Sequence, residues 1–356
     1  MIHARMLRSV LTACALLSVA CGASLAEPPL TVGSAVARPG TVSTGYLTVP
    51  PGVDAGTEIP VVVIAGKKPG RVVALVSGLH GTEYASILAL ESVIGRIDPE
   101  QLTGTVIVVP LVNVASFEQK VPHVNPVDRK SMNRYYPGRA DGTQTERASA
   151  LITHAIVDQA DFLIDYHGGD LDEDLRPYSY WAPVGREPQD QVSRHMALAF
   201  GLDHIIIDRE QPTDATASKY LSNTAALRGK PSLVVEAGHA GTTEAGDVAS
   251  LINGTMNVLR YLKALPGAAP EIENPVWIER VVTTASPATG IFYPLVQRGS
   301  FVQAGMRIGY VTDFFGRSIY DARAAATGVV LYICAVPSMN SGGTIANIGV
   351  VAASPP

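Results

Sequence analysis

Gly78-Leu79-His80-Gly81-Thr82-Glu83 sets a histidine and a glutamate three residues apart, between an apolar run and an amphipathic one. On a turn joining a strand to a helix, both side chains can face one metal ion. An imidazole nitrogen with a carboxylate oxygen suits zinc. Glycines on either side of His80 permit the sharp turn that such a pair needs. A tight turn whose histidine only bonds its own loop would explain this cluster equally well by itself. Asp165-Tyr166-His167-Gly168-Gly169 closes a second apolar run in the same manner. His80, Glu83 and His167 then form a three-ligand set for one zinc ion, with a position left for water. Two such strand ends are harder to assign to turn chemistry alone. Asp165 is a candidate for orienting the site; the alternative is a structural role, with its side chain alternating away from His167.

Val235-Glu236-Ala237-Gly238 ends a third apolar run. Glu236 can serve there as general base toward an activated water and hand the proton to a leaving amine. A solvent-facing carboxylate at a strand end is the plain alternative. His239 and Glu244 nearby are secondary candidates. Asn133-Arg134-Tyr135-Tyr136-Pro137-Gly138 lies in a long loop. The planar fork of Arg134 matches the two oxygens of a substrate carboxylate, and Asn133 beside it is taken as substrate-binding too.

These residues need a scaffold that brings distant strand ends together. Short apolar runs alternate with amphipathic segments from about Arg71. Strands are expected at 71–77, 105–112, 160–166, 204–208 and 231–236, and helices at 84–97, 144–159, 195–200 and 247–262. Such alternation implies an α/β fold, with a mixed, largely parallel sheet flanked by helices. Ligand sites in open α/β sheets gather at the carboxyl ends of strands, where these motifs fall. After Leu265, Pro266-Gly267-Ala268-Ala269-Pro270 reads as a linker. The remainder is strands and glycine-punctuated turns, a small C-terminal all-β domain over 271–356.

Hydrophobic residues make up 47% of the 356 and charged ones 17%, a globular balance. The formal net charge of -5 offers no basic stripe for nucleic acid. Residues 1–26 read as a signal peptide: Arg5 and Arg8, an apolar stretch from Val10 to Ala20, then Ser24-Leu25-Ala26 before cleavage. The protein is therefore expected to be exported, periplasmic or secreted, with no transmembrane span after cleavage. Lipid anchoring through Cys21 is the lesser option, because Ser18 stands where a lipobox wants leucine. Cys334 alone would survive cleavage, so no internal disulfide is available.

The four motifs, in this order, resemble the succinylglutamate desuccinylase and aspartoacylase family of zinc hydrolases, related to the zinc carboxypeptidases. The resemblance runs from about Val62 to the C-terminus. It implies a zinc carboxypeptidase-like catalytic domain over 27–265 and a C-terminal domain of barrel-sandwich type. It implies that His80, Glu83 and His167 hold zinc and that Glu236 is the catalytic base. A small anionic acylated substrate, such as an N-acyl amino acid, would lose its acyl group by amide hydrolysis. Ser131-Met132 stands where the family commonly writes Asp-Leu before Asn-Arg. An upstream arginine of many members has His123 as its nearest counterpart here, taken as substrate-binding, with Arg129 as the other candidate. The 271–356 segment has no lysine, so it cannot carry lipoyl or biotin as its fold relatives do. A carboxypeptidase acting on peptides or cell-wall fragments is the competing enzyme; a non-catalytic zinc-binding protein on the same scaffold is the third reading.

Overall fold

The computed structural model describes residues 29–356. The signal segment and Cys21 lie outside the described residues. Among those described, no helix is long and apolar enough to cross a membrane.

The apolar run around Val73 becomes a strand, Lys68–Ser77, at the heart of one long mixed sheet. Its alternate side chains enter two different cores. Val73 and Leu75 pack toward the helices Tyr84–Ile94, Glu187–Phe200 and Ala245–Tyr261, whereas Ala74 and Val76 face the opposite layer. A strand buried on both faces must be apolar throughout, hence the unbroken run in the sequence. Lys68–Ser77 pairs in parallel with Thr103–Val109 on one side and with Phe162–His167 on the other. Phe162–His167 pairs in parallel with Ser232–Glu236. The chain therefore leaves Lys68–Ser77 toward one flank and later returns to the other. That switch point opens a crevice at the carboxyl ends of these strands.

Several expectations are refined. The helix expected over 144–159 stops at Ile152 and continues as a wider π-type turn, Thr153–Val157. Its start is fixed by a reciprocal cap between Thr143 and Glu146. The sheet also extends beyond the expected strands. Thr41–Val49 and Thr57–Ala65 add an antiparallel flank, and Tyr178–Trp181 runs antiparallel to Ser232–Glu236.

The C-terminal region builds antiparallel β-sheets and joins the main sheet directly. Val276–Ala285 pairs in parallel with His204–Ile207, then antiparallel with Thr344–Val351, which pairs with Gly328–Cys334. A separate sheet holds Ser318–Arg323, Arg307–Thr312, Gly290–Pro294 and Ser338–Met339. The short strand Glu173–Leu175, just past His167, pairs with Gly328–Cys334. This pairing stitches the loop beside the strand ends to the C-terminal region.

Candidate active site

The turn after Lys68–Ser77 is held by two glycines for different reasons. Gly78 has a φ of +69°, and a Cβ there would lie 2.9 Å from the Leu111 backbone. At Gly81 the obstacle is space: a Cβ would sit 2.3 Å from the Phe117 nitrogen and 2.7 Å from the Asn113 oxygen. The turn delivers His80 and Glu83 to the mouth of the helix Tyr84–Ile94. Glu83 is the residue preceding that helix, but its carboxylate does not cap it. It turns instead to two imidazoles. Glu83 Oε1 lies 2.6 Å from His80 Nδ1 and Glu83 Oε2 lies 3.0 Å from His167 Nδ1. Burial opposes ionisation of Glu83, yet His80 and His167 outweigh it and hold the carboxyl down to about 2. The three side chains each offer a ligand atom within 4.8 Å of the others.

The outer nitrogens decide whether this set fits a metal. His80 Nε2 is 3.4 Å from Ser131 Oγ. His167 Nε2 is 3.3 Å from Asp165 Oδ1 and 3.3 Å from the Asn133 amide. Asp165 is buried, and neither of its oxygens has a hydrogen-bond partner of good geometry among the described residues. Asn133 Oδ1 is likewise buried and unpartnered. Acceptors around Nε2 hold the proton there and leave Nδ1 as the lone-pair nitrogen, which a metal ligand requires. Turning the Asn133 amide over would add its orphaned oxygen to those acceptors. Glu83 lies between the two Nδ1 atoms, so the three ligand atoms can converge on one cation. The donor set fits a divalent metal of the zinc type.

The position of Asp165 corrects the alternation argument. Residues two apart on a strand share a face, so Asp165 points the same way as His167.

Glu236 stands directly opposite His167 in the parallel register. It lines the same cavity, of about 400 Å³, as do His80, Glu83 and His167. Burial pushes the Glu236 carboxyl well above the usual carboxylate range. Glu83, Glu173 and Asp165 add to this, and His167 opposes it. Asn133 and Arg134 line the cavity too. Arg134 Nη1 donates to the Asn133 carbonyl at 2.6 Å, and its guanidinium lies over the Tyr220 ring at 5.0 Å.

His123 also reaches the cavity, but its ring is already committed. Nε2 lies 2.8 Å from Asp172 Oδ1 and Nδ1 lies 3.3 Å from Asp170 Oδ2. The bond to Asp172 and the charges of Asp170 and Glu173 push His123 up to about 9, against burial. Nε2 is thus hydrogen-bonded to Asp172, while Nδ1 faces Asp170 without a hydrogen bond. Arg129 is exposed and does not line the cavity. His239 and Glu244 form a separate cluster with Asp247, beside Arg298, away from the cavity.

Sequence reasoning missed several wall residues. Glu173 lies in the acidic run Asp172-Glu173-Asp174, six residues past His167, which was a visible signal. Tyr332 and Asn347, from the C-terminal region, close one side of the cavity. Nothing in the local sequence marks them.

Residues 69–262 match the succinylglutamate desuccinylase/aspartoacylase catalytic domain, and the chain belongs to that family. Among its relatives is the N-alpha-acetyl-L-2,4-diaminobutyric acid deacetylase of Halomonas elongata, 29% identical over 324 residues, covering 88% of this chain and 93% of the relative. The product-bound ectoine utilization protein EutE (DoeB) of Ruegeria pomeroyi superposes with a TM-score of 0.79 at 25% identity, over 90% of this chain and 98% of the other. A succinylglutamate desuccinylase from a Silicibacter species gives 0.78 at 25% identity, over 87% and 95%. Family membership supports hydrolysis of an amide bond, a deacylase activity.

Proposed function

We propose that this protein is an exported, zinc-dependent deacylase that hydrolyses the amide bond of a small N-acyl amino acid. The observation that carries the reading is the convergence, in one cavity, of the His80–Glu83–His167 donor set with Glu236 directly across the register from His167. When bound by those three residues, zinc supplies Lewis acidity to a water molecule and to the amide carbonyl.

The chain's own groups do the rest. A Glu236 carboxylate oxygen takes a proton as water adds to the carbonyl carbon. The same oxygen returns the proton to the amide nitrogen as the carbon–nitrogen bond breaks, leaving a carboxylic acid and an amine. The raised affinity of Glu236 for a proton suits the second half of that cycle. Arg134, stacked on Tyr220 at the rim, offers its outer donors to the substrate carboxylate. His123, bonded to Asp172, lines the cavity beside the site and faces the substrate from that wall. A wall formed by Tyr332 and Asn347 favours a compact substrate over an extended peptide. Export rests on the basic, apolar and small-residue order of residues 1–26.

The test is zinc content and turnover together. Wild type should hold about one zinc per chain, lose most of it in His80→Ala, and hydrolyse acetyl- or succinyl-amino acids faster than dipeptides. Protein that takes up no zinc when it is added back would sink the mechanism, and faster cleavage of dipeptides would favour the carboxypeptidase reading.

A further inference from the structure

We propose that Glu173 recognises the substrate's amino-acid side chain, and that this side chain ends in a free amine carried as an ammonium ion. The proposal rests on the deacylase reading above and adds the substrate class.

Three consecutive acids, Asp172, Glu173 and Asp174, follow the strand that ends at His167. Asp172 has a built-in cation, His123, at 2.8 Å. Asp174 has another, Arg298 of the C-terminal region, at 3.3 Å. Glu173 between them has no ion-pair partner among the described residues. One of its oxygens, Oε2, accepts the Asp170 backbone N–H at 3.1 Å, and no hydrogen-bond partner within the protein is found for the other among the described residues. The strand Glu173–Leu175 is clamped against Gly328–Cys334, with Glu173 opposite Cys334. This register directs Glu173 and Leu175 together into the cavity. Glu173 also borders a second cavity of about 260 Å³, beyond His123, Tyr332 and Asn347. It therefore stands at the junction between the chamber of the metal ligands and a polar side chamber.

The charges around the main cavity are then counted by use. Four carboxylates line it: Glu83, Glu173, Asp208 and Glu236. Glu83 belongs to the metal set and Glu236 to proton transfer. Asp208 accepts from the Gln211 side chain and from the Glu210 backbone N–H. Glu173 is left over. On the other side of the account, Arg134 meets the substrate's α-carboxylate, and His123 is neutralised by Asp170 and Asp172. A second carboxylate on the substrate, as in an acylated glutamate, would find no uncommitted cation on this wall and would face Glu173. Repulsion of that kind selects against the wrong substrate as effectively as attraction selects the right one. An ammonium would supply the partner that half-buried Glu173 lacks, through a charge-assisted hydrogen bond to its free oxygen.

The test uses the zinc-loaded protein and three substrates whose side chains share a two-methylene stem and differ in the terminal group: the Nα-acetyl derivatives of 2,4-diaminobutyrate, norvaline and glutamate. Wild type should cleave them in that order of kcat/KM. In Glu173→Gln the preference for diaminobutyrate over norvaline should fall about 30-fold, the loss expected when one member of a hydrogen-bonded charge pair in a binding cavity is neutralised. Glu173→Asp, which keeps the charge, should retain most of the preference. A wild-type enzyme that prefers the glutamate derivative, or a Glu173→Gln ratio equal to that of wild type, overturns the proposal while leaving the deacylase reading standing. Should Glu173→Gln not fold, the wild-type order decides alone. Failure to cleave any acylated amino acid overturns the deacylase reading and the proposal with it.

Discussion

Removing the carboxylate of Asp165 should weaken zinc binding without touching a ligand. Asp165 Oδ1 lies 3.3 Å from His167 Nε2, and Asp165 is buried beneath the site. Its service is to hold the imidazole proton on Nε2, so that Nδ1 faces the metal as a lone pair. Partners of this type typically change metal affinity 10- to 100-fold, which corresponds to about 1.4–2.7 kcal/mol. Asp165→Ala should fall within that range, because Asn133 remains as the other neighbour of Nε2. Asp165→Asn keeps the shape and one acceptor oxygen, so its loss should be smaller. The double variant with Asn133→Ala should lose more than either single change, since both then stop orienting the same nitrogen. The assay is competition for zinc against a chromophoric chelator at fixed pH. An Asp165→Ala protein that binds zinc as tightly as wild type would falsify the orienting role and return Asp165 to a structural one.

Other outcomes follow from the same geometry. Glu236→Gln should retain its zinc yet lose about 10²- to 10⁴-fold in kcat, measured by elemental analysis beside steady-state turnover. Arg134→Lys should raise KM for α-carboxylate substrates by about tenfold and leave metal content unchanged, because an ammonium cannot reproduce the guanidinium fork. Gly81→Ala should destabilise the metal-free protein by about 1–3 kcal/mol in urea, as its methyl group meets backbone atoms that cannot yield cheaply. Glu146 is held down to about 2 by Lys130 and by the Thr143 backbone N–H, against an ordinary value of 4.5. Because its folded-state value is depressed, its contribution is complete above pH 4.5 and disappears as pH falls toward 2. The stability gap between wild type and Glu146→Gln should therefore be clear at pH 7 and narrow steadily below pH 4.5; a gap that widens in acid would contradict the assignment.

The meeting of His80, Glu83, His167 and Glu236 in one cavity was legible in the sequence because each sits near a glycine where an apolar strand ends, and strand ends in an α/β sheet converge. The strands through Val73, Ile107, Ile164 and Val234 were legible for a related reason: the central strands pack between two layers of core, and that demands continuous apolar residues. Periodicity misplaced the end of the helix after Thr143, since the change from α to π-type turn leaves the spacing of apolar residues nearly unaltered. The flanking strands before Arg71 escaped notice as well. Their direction and pairing depend on which edge of the sheet remains open.

The tertiary structure alone decided the rest. The family resemblance set His123 near the position of the family's arginine, but only the fold brought Asp170 and Asp172 against its ring. Sequence marked Asp172-Glu173-Asp174 as acidic; pairing with Gly328–Cys334 and the reach of Arg298 showed which member of the run was left without a cation. Tyr332 and Asn347 reach the cavity from well over a hundred residues beyond His80, Glu83 and His167. The placing of His80 and Glu83 is written locally because a turn and its glycines can be specified by neighbours in the chain. The charges around Glu173 meet across the sheet, and that meeting exists only once the chain has folded.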